Sequence, residues 1–187
     1  MARNLLIPPV PRGPLAEAAE NRFLAVRPGN RAAQLLSLRI YSFAVHLAER
    51  DPTLRVPDEV WFAGAHLYLP GLKRQAGQPR NRVERMLQFA APVLEMASPE
   101  HQKILKDWIR FQLRVRPVHK IAPAAEILRR ALVLESTLGV IRYGLPPLLV
   151  LGVFKQYAPH RFDRWLVGSW TSILRHIPFA FLRGPKI

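Results

Sequence analysis

Leu36, Ile40, Phe43 and Leu47 recur at intervals of three and four, the spacing that lines one face of an α-helix, while Arg39, Ser42, His46 and Glu49 fall on another face. That pattern predicts a helix opened by a cap at Asn30 and ending near Arg50, where Asp51-Pro52 stops it. The same reading carries along the chain because many of its 18 prolines stand where helices begin or end. Pro14 opens a short Ala-rich helix to about Val26, closed by Pro28-Gly29. Pro57-Asp58-Glu59 starts an apolar helix through Trp61 to Leu69, and a basic connector from Leu72 to Asn81 follows.

Further helices are predicted from about Arg82 to Ala97, interrupted by Pro92, and from Ser98-Pro99-Glu100 to about Arg116. Pro123 opens another, from Ala124 to about Tyr143, Pro146-Pro147 begins an apolar one, and the last runs from about Arg161 to His176. Alternating β-branched runs are almost absent, and no internal repeat stands out. The fold class expected is all-α, with seven or eight short proline-punctuated helices and extended N- and C-terminal arms. The organisation expected is an arm over 1–13, a helical domain over 14–130, an apolar segment over 131–158 that could touch a membrane, and a basic, aromatic C-terminal helix and tail over 159–187.

The apolar segment changes the picture most. Residues 131–154 are long enough for a bilayer, whose core takes roughly 20 apolar residues. Glu135 and Arg142 oppose a simple span, since a charge at the bilayer centre costs about 2.5–3.5 kcal/mol on insertion scales. Pro146-Pro147 also breaks the internal hydrogen bonding that lipid requires. Three readings stay open: a hairpin buried in a core, an interfacial or half-inserted segment, and a kinked span. If the helix continues to Tyr143, Glu135 and Arg142 share a face about 10.5 Å apart along the axis, so each needs its own partner in protein, water or headgroup. Tyr143, Trp165 and Trp170 are the candidate partner or membrane contacts beside them.

Charge then narrows the class of partner. Among 187 residues, 28 Lys and Arg face 13 Asp and Glu, a net charge of +15. The excess is +4 over residues 1–100 and +11 over 101–187. Arg supplies 22 of the 28, and its planar fork suits carboxylate and phosphate. Lys103, Lys106, Arg110 and Arg114 form one stripe at helical spacing, opposite Ile104, Trp108 and Phe111. Lys73, Arg74, Arg80 and Arg82 crowd the basic connector, and Arg161 and Arg164 stand near the tail. These ten are the candidate anionic-lipid or phosphate ligands. The ordinary reading of any such stripe is a solvated face. Basic residues interleaved with Phe179 and Phe181 suit RNA as well as a protein groove.

Catalytic chemistry finds little support. The chain has no cysteine, which excludes disulfides, thiolate metal sites and a Cys nucleophile within it. None of its six histidines stands in an HExxH arrangement, no GxxxxGK[ST] loop is present, and Ser136 and Ser169 lie in no GxSxG elbow. His46 with Glu49 reads as a polar stripe, and Asp163 has Arg161 and Arg164 as simpler partners than His160. The expectation is a non-catalytic accessory or scaffold subunit of a mitochondrial inner-membrane complex, of the respiratory chain or ATP synthase, lying in that membrane or on its matrix face. It would contact neighbouring subunits and anionic lipid, with cardiolipin as a structural lipid, no other cofactor, no metal and no small-molecule substrate. The alternative is an organellar ribosomal or other RNA-binding protein; a small helical enzyme has the least support.

Overall fold

The computed structural model describes residues 8–68, 79–114, 117 and 120–158. Among these the chain forms seven helices and no strand: α1 (Pro14–Val26), α2 (Arg31–Ala48), α3 (Asp58–His66), α4 (Arg82–Met96), α5 (Pro99–Phe111), α6 (Pro123–Ser136) and α7 (Pro147–Gln156). The all-α class and the proline punctuation are as expected. Pro14, Pro99, Pro123 and Pro147 each sit in a first turn, where the missing N–H has no helical partner to lose. Asn30 accepts from the Ala33 amide at 3.0 Å, Asn81 from Val83 at 2.8 Å and Ser98 from His101 at 3.3 Å, so side-chain caps mark the starts of α2 and α4 and reinforce that of α5. The predicted last helix over 161–176 lies outside the described residues.

α2 is the central element. It packs most extensively on α6, and also on α3 and α7; α1 packs on α3 and α4, and α5 on α4 and α6. Its surroundings correct the two-faced reading of this helix: every residue from Arg39 to Leu47 is buried, including Arg39, Ser42 and His46. The core gathers Phe23, Tyr41, Phe43, Phe62, Trp61 and Trp108, all essentially inaccessible. Tyr41 meets Phe62 edge-on at 5.4 Å, and Phe43 meets Phe154 of α7 at 5.4 Å. The end of the N-terminal arm joins in: Pro8 is buried, and the Tyr41 hydroxyl donates to the Pro9 carbonyl at 2.7 Å.

The apolar run from 131 is divided rather than continuous. α6 stops at Ser136, seven residues before the predicted end, and the reason is local. The Leu138 amide donates to the Glu135 carbonyl at 3.0 Å and the Gly139 amide to the Leu134 carbonyl at 2.9 Å, the paired bonds of a Schellman stop. That motif needs a left-handed residue, here Leu138 at φ 49°, followed by Gly139 at φ 77°. A second left-handed pair, Tyr143 and Gly144, turns the chain into α7. Leu134, Leu145, Val150, Val153 and Phe154 are buried in the same core as α2, and Leu138 packs against it. No helix among the described residues is long and apolar enough to cross a membrane.

Gly139 has two reasons to be glycine. Its φ is left-handed, and an added Cβ would lie 2.5 Å from Cγ1 of the buried Val150. Gly29 has the first reason only: its φ is 67° and nothing lies within 4 Å of an added Cβ. Gly139→Ala is therefore expected to lower stability by about 2–4 kcal/mol, strain plus overpacking, against about 1 kcal/mol for Gly29→Ala. Urea midpoints of the two variants test this, and equal losses would show that the α6–α7 turn repacks without penalty.

Candidate anion-binding surface

α5 presents two opposed faces. Ile104, Leu105, Trp108 and Ile109 are buried, and the Trp108 indole donates to the Gly64 carbonyl of α3 at 2.8 Å. Gly64 also admits α6 on this side of α3, because a Cβ there would stand 2.5 Å from Leu128. With the apolar face so fixed, the residues offset from it point outward. Lys103 and Arg110 are 66% and 52% exposed, Lys106 is half-buried and Arg114 is exposed just past the helix end. Together with Pro99, Gln102 and Asp107, the first three line an open groove of about 210 Å³.

Asp107 organises this face. Its carboxylate takes the Lys103 ammonium at 2.9 Å, lies 3.9 Å from the Arg110 guanidinium, and accepts from the Ala122 amide at 3.1 Å. Ala122 is the N-cap residue of α6, so one carboxylate both tethers that start and spaces the cations. Lys106 donates to Gln102 at 3.1 Å. Three cations against one internal acid leave the groove net positive.

The other expected ligands are less unified. Arg80 is exposed and Arg82 half-buried, on either side of the cap at Asn81. Arg82 is close enough to Tyr68 to act on its phenol: burial raises that pKa, and the Arg82 charge opposes the rise. Arg85 is used internally, donating to the carbonyls of Pro79 and Arg80. Lys73, Arg74, Arg161, Arg164, Trp165 and Trp170 lie outside the described residues.

Glu135 and Arg142 do not share a helical face, because α6 ends between them. Arg142 is exposed, and half-buried Tyr143 has the Arg130 guanidinium 5.5 Å from its ring centre. Glu135 turns inward, not toward a partner or membrane. The Arg39 Nε donates to both its oxygens at 3.1 and 3.0 Å, Nη2 donates to Oε1 at 2.9 Å, and Nη1 donates to the Tyr157 carbonyl at 2.6 Å. Burial pushes the Glu135 carboxyl above the ordinary range, against the pull of the Arg39 charge. The ion pair therefore joins α2, α6 and the end of α7 through the core.

A second buried cation is also consumed internally. Arg129 is inaccessible and grips Glu126 with two bonds of 2.6 Å, while Nη1 donates to the Arg114 carbonyl at 2.9 Å. Burial alone would raise the Glu126 carboxyl; its bonds to Arg129 and Arg130 overcome that and hold it low. Sequence reasoning gave Arg39 and Arg129 no structural role. The available signal was the acid three or four residues from Arg129 and Arg130 on one helix, and the need of Glu135 for a countercharge.

Among the described residues no group of three or more His, Asp or Glu is placed to hold a metal ion. His46 approaches only Glu49, at 3.2 Å, and His66 bonds its own helix at Phe62, at 3.0 Å. Comparison of the chain with protein-family models, with curated proteins and with solved structures returned no match. The chemistry that the exposed groups of α5 offer is attraction of anions.

Proposed function

We propose that the protein is a non-catalytic accessory subunit that works at an anionic membrane surface, such as the cardiolipin-rich inner membrane of an organelle. The observation that carries this reading is the exposed cationic groove of Lys103, Lys106 and Arg110. Headgroups suit it better than single-stranded RNA. RNA binders of that kind combine cations with exposed aromatic faces for stacking, and here the neighbouring Trp108 is buried. Cations whose neighbouring Trp is buried match the phosphates of a lipid surface.

The test is a vesicle titration with the full chain. Wild-type protein is expected to bind vesicles containing cardiolipin, and to bind them less tightly as salt rises. The triple variant Lys103→Gln, Lys106→Gln, Arg110→Gln should bind about 100-fold more weakly, since each cation near a charged surface contributes about 1 kcal/mol. Unchanged binding by the triple variant would remove the groove from the account. Absence of vesicle binding, with tight salt-sensitive binding to structured RNA, would replace the lipid reading by the RNA one.

A further inference from the structure

Among the described residues, one face of α7 has no partner. Val150, Val153 and Phe154 point into the core, while Leu148 and Leu151 are 81% and 53% exposed. Leu148, Leu151 and Lys155 are three and four residues apart, so they share a single strip of the helix, and Lys155 is exposed at its end. Val140, 55% exposed, and exposed Arg142 belong to the turn that leads into the helix. Residues 137–158 contain no Asp or Glu, and Arg142 and Lys155 are their only charges.

We infer that this strip docks onto an anionic bilayer, with Leu148 and Leu151 inserted at the headgroup–acyl boundary and Lys155 and Arg142 against lipid phosphates. The inference rests on the membrane-surface reading above and says where the protein meets the lipid. At ten residues α7 is about 15 Å long, half the hydrocarbon thickness, so it lies on the membrane and does not cross it. An apolar strip with cations at its margin, in a segment that itself carries no acid, has the composition of an interfacial helix. The charge pattern also argues against a second copy of the chain as occupant. A two-fold contact across this strip would bring Lys155 and Arg142 of one copy toward the same cations of the other.

Because the chain has no cysteine, a single introduced thiol can report on this face alone. Leu148→Cys and, as a control at an exposed position of α4, Glu95→Cys are labelled with an environment-sensitive fluorophore and mixed with cardiolipin-containing vesicles. The label at 148 is expected to shift to the blue and brighten at least twofold, and the label at 95 to stay at its aqueous emission. In 0.5 M salt (a level at which, by a Debye length of about 4 Å, the α5 cations are screened), Leu148→Gln with Leu151→Gln should bind at least tenfold more weakly than wild type. Vesicles that pellet the protein while the 148 label keeps its aqueous emission would overturn the docking face and leave the α5 groove as the lipid contact. A chain that pellets with no vesicle would overturn both. A blue shift that follows protein concentration without vesicles would instead assign the strip to self-association and overturn the lipid occupant.

Discussion

Glu135→Leu is expected to destabilise the protein by about 3–5 kcal/mol, although it puts a greasy residue into a greasy site. The loss arises at Arg39, which is 4% exposed and would keep its charge in the core without the carboxylate that accepts three of its hydrogen bonds. The double variant Arg39→Met, Glu135→Leu is expected to recover most of that loss, because it removes both desolvated charges and keeps the volume filled. The raised carboxyl of Glu135 already indicates that burial works against the charged form. Urea midpoints of the two single variants and the double variant decide the matter. A single Leu variant as stable as wild type would mean that Arg39 finds water once its partner is gone.

Acid is expected to weaken the fold through His66. This ring is buried between Phe23 and Phe62, at 5.4 and 4.1 Å, and burial lowers its pKa from 6.5 to about 4 although the Phe62 carbonyl favours the charged form. The unfolded chain therefore takes up a proton below pH 6.5 that the folded chain refuses until about pH 4. Stability from this group is fully present above pH 6.5 and falls by about 3 kcal/mol by pH 4, at 1.36 kcal/mol per unit. Glu135, whose folded carboxyl is raised, acts in the opposite sense, so the measurement is a difference. Between pH 7 and 4.5 the wild type should lose about 2–3 kcal/mol more than His66→Leu. Parallel pH profiles for the two proteins would show that the imidazole is reached by solvent.

Local chemistry was readable where it acts locally. Proline in a first turn and Asn or Ser as a cap set the starts of α1, α2, α4, α5, α6 and α7, since a helix start depends on a few adjacent residues. The cationic stripe of α5 was readable for the same reason, as a spacing along one helix. The stop of α6 was not, because its left-handed position holds Leu138 where glycine is the usual signal, and the hydrophobicity of that residue points to continuation. The fate of Arg39 was hidden for a different reason. On paper it lies on the polar side of an amphipathic helix, and only the packing of α3, α6 and α7 around α2 turns that side into core. A charge inside an apolar run can be recognised as needing a partner; which partner depends on topology.

That topology has a consequence for synthesis. Arg39 and Glu135 are 96 residues apart, and α2 and α6, which make the most extensive helix pair, straddle the same gap. At about 5–20 residues per second, a ribosome needs about 5–20 s to deliver Glu135 after Arg39. During that interval α2 has emerged with its α6 side uncovered and its guanidinium without its carboxylate. α3, which follows α2 after a short connection, is the first long-range cover available, and α1 packs on α3 in turn. The nascent chain thus holds a three-helix fragment with one apolar side open until α6 arrives, and that side is the surface on which a chaperone or a neighbouring nascent chain would act.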